Sequence, residues 1–264
     1  MIFSTTTSYR VTLQPEKLNG MEKEWFSEWF DSPYYHMLYK SRDESEARKT
    51  IDHLLQALNL KDGATILDLA CGKGRHARYL AEKGFVVTGL DISEASIAFA
   101  REFEHARLEF FQHDMRKPFR SNYFDGVMNM FTSFGYFNTE HEHLLTLKNV
   151  TKELKPGGLF LLDYFNSLWV RKNLIAQDTK TVDGVTFHLN RKISKGNVFK
   201  TVEFRAAGRQ LIFTESVRLF EYADFDRLLT LAGMKINKCF GDYDLSPFVP
   251  EQSSRLILVA QKIT

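Results

Sequence analysis

The chain has 264 residues, of which 44% are hydrophobic, and this fits one large α/β domain or one domain with an elaboration. The formal net charge of +2 comes from 35 basic and 33 acidic residues, a balance that does not indicate nucleic-acid binding. The two cysteines lie far apart and no run of about 18 apolar residues occurs. We therefore expect no disulfide framework, no metal site, no membrane span and a cytoplasmic location.

The N-terminal region changes character near residue 21. Residues 1–20 are polar and without a regular period, which predicts a disordered arm. From residue 21 to about residue 60, aromatic and aliphatic side chains recur at helical spacing, first in "MEKEWFSEWF" and later in "TIDHLLQAL". This pattern predicts two helices over residues 21–60, with a break near "DSPYY".

Residues 61–170 alternate between short apolar runs and segments with helical spacing, which predicts parallel strands joined by right-handed helical crossovers. Gly84 suits the C-terminal cap of the first of these helices and Ser93 the N-cap of the second. Thr139 and Glu142 have capping-box spacing ahead of the third. The predicted strands are 64–70, 85–91, 107–111, 125–131 and 159–165, and the predicted helices are 74–83, 94–105 and 139–154.

The pattern differs after residue 180. Residues 181–221 alternate between apolar and polar side chains, with turn signals at "SKGN" and "AAGR". They predict an antiparallel insertion that lies over the open end of the sheet, with strands at 183–192, 198–205 and 210–220. Residues 222–264 then offer a helix at 223–234 and a closing strand pair from "KINKCFG" and "RLILVAQK".

The segment "LDLACGKGRHARYL" has the form of a strand, a tight turn and a helix start, which is a common nucleotide-binding arrangement. Gly72, Gly74 and Ala77 fit a G-x-G-x-x-A pattern that NAD-binding folds share. Asp68 argues against a dinucleotide because a carboxylate repels a pyrophosphate. It suits a ligand that carries a cationic amino group.

Two further carboxylates follow the next two strands. Asp91 ends the second predicted strand, where it can accept both ribose hydroxyls. Asp114 follows the third, where it can accept from an adenine amino group. Together with Asp68, they describe an adenosine with a positively charged tail. S-adenosylmethionine is such a molecule.

Four segments resemble successive motifs of the class I S-adenosylmethionine-dependent methyltransferases over roughly residues 50–170. They are "ILDLACGKGRHARYLAEKGFVVTGLDIS", "HDMR", "FDGVMNMFTSFGYF" and "LKPGGLFLLDYF". The resemblance implies a Rossmann-like, seven-stranded, mostly parallel sheet with helices on both faces and an antiparallel last strand. We therefore predict a methyltransferase domain over residues 21–264. Its parts are an N-terminal helical lid (21–60), a cofactor-binding core (61–170), an antiparallel β insertion (181–221) and a C-terminal completion of the sheet (222–264).

The resemblance also implies roles for residues at the glycine turn. The backbone at Gly72 and Gly74 approaches the methionine part of the cofactor. The backbone at Ala70 receives the cofactor's amino group, with help from Asp68 directly or through water.

Residues of the later motifs have roles implied in the same way. Asp91 holds the ribose and Ile92 packs on the adenine. Asp114 binds the adenine amino group, and the Met115 amide binds another ring nitrogen. Met130 lies under the sulfonium.

A second, narrower resemblance concerns "YYHMLYKSR", which is similar to the lid helix of the nucleotide-aminosugar N-methyltransferases. Tyr34 and Arg42 match a Tyr…Arg pair that reaches the methionine carboxylate in those enzymes. Arginine suits this task because its planar fork binds a carboxylate with two hydrogen bonds.

We expect the acceptor pocket to lie beyond the methyl group, between the lid, the loop after the fourth strand, the end of the fifth strand and the insertion. Arg255 is placed to meet an anionic acceptor, whereas His143 is expected to be solvated and Cys71 to have no nucleophilic role. The candidate lining residues are Tyr35, His36, Phe134, Tyr136, Tyr164, Asn166, Tyr243 and Arg255.

The sequence therefore predicts an enzyme that transfers a methyl group from S-adenosylmethionine to nitrogen or oxygen of a small molecule by direct displacement, leaving S-adenosylhomocysteine. No catalytic base is identified, and an uncharged amine needs none. An RNA or protein methyltransferase is an alternative, although "NMFTSF" replaces the Asn/Asp-Pro-Pro-aromatic tetrad of base methylases. A non-catalytic S-adenosylmethionine sensor and an NAD-dependent reductase are further alternatives. We expect a monomer or homodimer with no nucleic-acid or membrane partner.

Overall fold

A computed structural model describes the backbone of residues 17–18, 21–22, 24–40 and 44–263, and the side chains of residues 24–26, 28–40 and 48–263. The predicted arm over residues 1–20 lies outside the described residues, except that Lys17–Leu18 (β1) pairs with Met21–Glu22 (β2). The chain forms two compact units. The smaller unit comprises Met1–Tyr39 and Ile175–Ser216, and the larger unit comprises Lys40–Leu174 and Val217–Thr264.

The larger unit contains a mostly parallel sheet, which confirms the predicted fold class. Its strands run in the order β12-β13-β7-β6-β3-β4-β5, and β13 is antiparallel to both of its neighbours. The strands are β3 (Thr65–Leu69), β4 (Val86–Asp91), β5 (Leu108–Gln112), β6 (Phe124–Asn129), β7 (Leu154–Phe165), β12 (Met234–Phe240) and β13 (Arg255–Lys262). The helices are α3 (Glu44–Leu58), α4 (Arg75–Glu82), α5 (Glu94–Arg101), α6 (Glu140–Glu153), α7 (Ser167–Asn173) and α8 (Tyr222–Leu231).

Helices cover both faces of this sheet. On one face, Leu54 of α3, Leu80 of α4 and Ile97 of α5 join a buried apolar cluster with alternate strand residues. On the other face, Leu147 of α6 and Leu228 of α8 join a second cluster. Burial on both faces explains why the central strands read as nearly continuous apolar runs. The parallel strands all end at one edge of the sheet, where the loops that carry function are gathered.

In its described residues, the smaller unit contains two short helices and a four-stranded antiparallel sheet in the order β11-β10-β9-β8. Phe187 and Phe204 on its strands are buried together with Trp29. The indole N–H of Trp29 donates to Glu215 at 2.8 Å, and Lys200 pairs with the same carboxylate at 3.1 Å. The elements are α1 (Trp25–Phe30), α2 (Pro33–Leu38), β8 (Gln177–Val182), β9 (Val185–Ser194), β10 (Asn197–Ala206) and β11 (Arg209–Arg218).

Several predicted boundaries were wrong for local reasons. The N-terminal region has three helices rather than two among the described residues, because the Ser32 side chain caps a new helix that begins at Pro33. The insertion has an additional strand, β8, whose polar sequence "QDTKTV" shows no apolar alternation. Strand β6 ends at Asn129, since Phe131 and Thr132 adopt left-handed backbone angles.

Other predicted features were confirmed. The Ser93 hydroxyl accepts from the Ser96 amide, although the helix that it caps ends at Arg101 instead of residue 105. Thr139 and Glu142 form the complete capping box. None of the helices in the described part of the chain combines the length and apolarity that crossing a membrane requires.

Candidate active site

The turn between β3 and α4 depends on left-handed backbone angles. Ala70, Gly72 and Gly74 have φ values of 65°, 55° and 75°. A Cβ at Gly74 would lie 2.5 Å from the Phe110 ring, so only glycine fits there. A Cβ at Gly72 would have no atom within 4 Å, which shows that space is available beside the turn. Ala70 holds a conformation that costs of order 1–3 kcal/mol, a strain typical of binding sites.

Asp91 connects the end of β4 to this turn. Its Oδ2 accepts from the Gly72 amide at 2.7 Å, and its Oδ1 accepts from the Ser93 amide at 2.8 Å. A carboxylate offers about four acceptor sites, so these bonds are compatible with further bonds from ribose hydroxyls. The predicted proximity of Asp91 to the glycine turn is therefore present in the structure.

Asp68 is the electrostatically unusual group of the site. It is 2% exposed, and its Oδ2 has no hydrogen-bond partner among the described residues. Burial, and after it the negative charge of Asp91, raises the pKa of Asp68 to about 7, although the Ala77 amide and Arg75 act in the opposite direction. A buried carboxyl group with one oxygen that lacks a hydrogen-bond partner among the described residues, beside a second carboxylate, favours a cationic ligand.

The residues at this edge fit S-adenosylmethionine, which carries an ammonium group and a sulfonium. Asp68 supplies an unpaired buried acceptor for a cation, Gly72 leaves room beside the backbone, and Asp91 presents a carboxylate next to that room. Cys71 lies in the same turn and is buried. Its burial and the charges of the two acids raise the pKa of its thiol well above the usual value, so it is a protonated packing residue.

Asp114 lies after β5 in an ion pair with Arg116, with N–O distances from 2.7 to 3.1 Å. Burial alone raises the pKa of Asp114, but hydrogen bonds from the side chain and backbone of Arg116 lower it below its usual range. Arg116 also bonds to Glu142 of α6 at 2.9 Å. Any contact of Asp114 with an adenine amino group must therefore share the carboxylate with Arg116.

The other residues predicted to contact the cofactor differ in how deeply they are buried. Ile92 is half-buried directly after Asp91, and its carbonyl accepts from the Gln112 side chain at 3.2 Å. Met115 is partly buried against the second apolar cluster. Met130 is 4% exposed and belongs to the first cluster, so it is a core residue at the end of β6.

A layer of rings and guanidinium groups extends from the glycine turn across the ends of β6 and β7. The His76 ring stacks on Phe131 with centroids 5.0 Å apart, and the Arg75 guanidinium lies 5.1 Å from the Phe131 centroid. Tyr243 follows at 5.7 Å from Phe131, and Arg255 lies 5.6 Å from the Tyr243 centroid. Among the acceptor candidates, Tyr243 and Arg255 thus come together near the turn.

Asp163 organises this layer and was missed by the sequence reasoning. Its side chain is fully buried, and its Oδ1 accepts from Arg255 Nε at 2.8 Å. Its Oδ2 accepts from the Phe131 amide at 2.7 Å and from the Tyr243 hydroxyl at 2.8 Å. The available signal was a lone carboxylate inside the apolar strand "LFLLDYF", since a buried charge requires partners.

Two of the predicted lining residues have structural contacts instead. Tyr164 is fully buried in the second apolar cluster, and its hydroxyl donates to the Arg218 carbonyl, so it does not line a pocket. The Asn166 side chain accepts from the Leu168 amide as the N-cap of α7. Tyr136 is half-buried and donates to the Thr132 carbonyl at 2.5 Å.

The expectation that His143 is solvated was wrong. It is 2% exposed, and its ring lies 5.0–5.2 Å from the ring centroids of Phe134, Phe137 and Phe220. Burial lowers its pKa, so the neutral imidazole is favoured. Phe134, another of the predicted lining residues, is a core residue at 2% exposure.

Of the predicted lid, residues 21–39 belong to the smaller unit and residues 40–60 to the larger one. Tyr34 packs against Phe204 with centroids 4.8 Å apart. Tyr35 contacts Trp29, and its ring lies 5.5 Å from that of His36. Arg42 lies outside the described residues.

Comparison with known proteins finds similarity to methyltransferases. Residues 66–158 match a family model described as a methyltransferase domain. The chain is 26% identical over 216 residues to dTDP-3-amino-3,4,6-trideoxy-alpha-D-glucopyranose N,N-dimethyltransferase of Streptomyces venezuelae, covering 76% of this chain and 89% of that protein.

Solved structures agree on the fold. An S-adenosylmethionine-dependent methyltransferase from Clostridium acetobutylicum has a TM-score of 0.73 at 18% identity, covering 88% of this chain and 96% of the other. The sugar N-methyltransferase KedS8 from Streptoalloteichus has a TM-score of 0.68 at 22% identity, covering 87% and 93%. The matched family model and the shared fold lead to one conclusion: residues 66–158 form a methyltransferase domain, in a chain whose fold is shared with S-adenosylmethionine-dependent methyltransferases.

Proposed function

We propose that this protein transfers the methyl group of S-adenosylmethionine to a nitrogen or oxygen atom of a small-molecule acceptor. The observation that carries the proposal is the layer formed by Arg75, His76, Phe131, Tyr243 and Arg255 beside the glycine turn. This layer offers flat apolar surface together with a few fixed polar groups, which is the composition of a small-molecule site.

The cofactor supplies an electrophilic methyl group on a positively charged sulfur. The protein's task is then to place the acceptor in line and to exclude water, which can lower the barrier by about 7–11 kcal/mol. In this proposal Asp68 binds the cofactor's ammonium group and Asp91 its ribose. The rings of Phe131 and Tyr243 form one wall of the acceptor site.

Nitrogen is the acceptor atom that we favour. Asp163 already accepts from two nitrogens of Arg255, from the Phe131 amide and from the Tyr243 hydroxyl, so both of its oxygens are occupied and neither is placed to take a hydroxyl proton. An amine that arrives uncharged needs no base. The Streptomyces venezuelae relative, named for N,N-dimethylation of an amino sugar, supports the same choice.

The other residue assignments in this proposal come from the family resemblance. Tyr34 and Arg42 bind the methionine carboxylate, and Asp114 and the Met115 amide bind the adenine. Ile92 packs on its ring. The roles of Tyr35, His36 and Tyr136 in the acceptor pocket stay predictions.

The experiment is methyl transfer from methyl-labelled S-adenosylmethionine to three separated cell fractions: low-molecular-mass metabolites, RNA and protein. We expect label in the metabolite fraction, and we expect Asp91→Ala to reduce it. Label confined to RNA or protein would replace the proposal with a macromolecular acceptor. Calorimetric binding of S-adenosylhomocysteine without transfer to any fraction would indicate a sensor.

A further inference from the structure

The guanidinium group of Arg255 uses only some of its hydrogen-bond donors. Its Nε and Nη2 donate to Asp163, and Nη2 also donates to the Thr132 hydroxyl at 3.2 Å. A guanidinium group carries five N–H donors, of which two belong to Nη1. Within the described part of the chain, Nη1 has no hydrogen-bond partner, although the Arg255 side chain is only 18% exposed.

The other edge of this guanidinium is rigidly held. Asp163 is fully buried, and its Oδ1 accepts from two nitrogens of the guanidinium group, Nε and Nη2. The Tyr243 hydroxyl donates to Oδ2 of the same carboxylate. Thr132 is fixed in turn, because its hydroxyl also accepts from the Phe165 amide at 3.1 Å. A cation fixed in this way presents its remaining donors in a constant direction, so little side-chain entropy is lost when a ligand binds.

The position of Arg255 places these donors at the functional edge. Arg255 is the first residue of β13 and pairs with Phe165, the last residue of β7. Phe131, which contacts the helix that follows the glycine turn through its stacking on His76, bonds through its amide to the same Asp163. The guanidinium is therefore part of the layer proposed to face the methyl acceptor.

The local charge indicates which kind of group these donors suit. Asp163 neutralises Arg255 by direct contact, and Asp242 adds a second negative charge nearby. The pair therefore has little net attraction for an anion, which argues against the anionic acceptor expected from the sequence. Because the Arg255–Asp163 pair carries no net charge, the two N–H donors of Nη1 suit an uncharged oxygen, such as a hydroxyl or carbonyl group.

We propose that Arg255 is a specificity-determining residue whose Nη1 donates to an uncharged oxygen of the methyl acceptor, and that Asp163 is its positioning residue. This inference rests on the proposed small-molecule methyl transfer and names the chemical group beside the methylated atom. It separates recognition of the acceptor at Arg255 from recognition of the cofactor at Asp68 and Asp91.

The test uses the full chain, methyl-labelled S-adenosylmethionine and the chromatographic fraction of the metabolite extract that the wild-type protein labels. Arg255→Lys keeps the charge opposite Asp163 but lacks the Nη1 edge. We expect it to raise the half-saturating amount of this fraction about tenfold or more, with the affinity for S-adenosylhomocysteine within twofold of wild type. Arg227→Gln, at an exposed ion pair with Glu140, is the control and should change neither quantity.

The positioning role needs variants that tolerate loss of the buried pair. Asp163→Asn leaves Arg255 without its counter-charge and lowers stability. The double variant Asp163→Asn/Arg255→Gln removes both charges. We expect the double variant to retain S-adenosylhomocysteine binding and to show the same rise in half-saturation as Arg255→Lys.

The outcomes are distinct. Absence of transfer by the wild-type protein would overturn the proposed function itself. Transfer by Arg255→Lys with unchanged half-saturation would overturn only the role of Arg255, as would an equal loss of S-adenosylhomocysteine affinity. Wild-type half-saturation should change less than twofold between 50 and 300 mM NaCl, and a steep rise with salt would show an anionic acceptor instead.

Discussion

Replacing Asp68 by asparagine should stabilise the ligand-free protein while weakening cofactor binding. Asp68 is 2% exposed, and its Oδ2 lacks a partner among the described residues. Its pKa rises from 3.8 to about 7 on folding because of burial and the charge of Asp91. At 1.36 kcal/mol per pKa unit, a shift of about 3 units makes the ionised carboxylate cost about 4 kcal/mol of stability above pH 7.

The sign of the pH dependence follows from the direction of the shift. Between pH 4 and pH 7 the folded state binds a proton at Asp68 that the unfolded state has lost, so wild-type stability falls as the pH rises. Asp68→Asn removes this dependence. Its advantage should be small near pH 4, about 2 kcal/mol near pH 5, and constant at about 4 kcal/mol above pH 7.

The assay is thermal unfolding of the ligand-free protein from pH 4 to pH 8, followed by calorimetry with S-adenosylhomocysteine at pH 8. We expect a rise in melting temperature on the order of 10 °C at pH 8, and an affinity for the ligand at least tenfold weaker. Asp62→Asn, at an exposed position before the same strand, is the matched control. Equal or lower stability of Asp68→Asn at pH 8 would refute the claim that this site holds a costly buried charge.

Three further substitutions test other parts of the structure. Asp91→Ala should weaken S-adenosylhomocysteine binding by roughly 1.5–3 kcal/mol, or about 10- to 150-fold by calorimetry, and unchanged affinity would remove its assignment to the ribose. Gly74→Ala should lower the melting temperature more than Gly63→Ala does. Both glycines have positive φ, but only at Gly74 would a Cβ meet Phe110. Equal losses of melting temperature would show that the Phe110 ring moves aside. Thr139→Ala should lower the free energy of unfolding by about 1 kcal/mol in urea titrations, since it removes the cap of α6, and no loss would mean that water replaces the cap.

The sequence by itself determined the sheet and the cofactor. Alternation of apolar strands and helices requires a parallel sheet, because each strand must be followed by a crossover that covers a face. The Thr139 capping box could also be predicted, because its two residues interact within one turn of helix and are therefore close together in the sequence. That Asp68 and Asp91 lie at one site could be predicted because parallel strands bring their carboxyl ends to the same edge of the sheet.

The tertiary structure alone decided what surrounds the acceptor side of the site. Tyr243 and Arg255 lie 80 and 92 residues after Asp163 along the chain, and they meet it only because β13 pairs with β7. The left-handed angles at Phe131 and Thr132 are likewise set by bonds to Asp163 and not by local preference. Local patterns record which residues need burial or a cap, whereas the partner of a buried charge depends on pairing between distant strands, which no local pattern encodes.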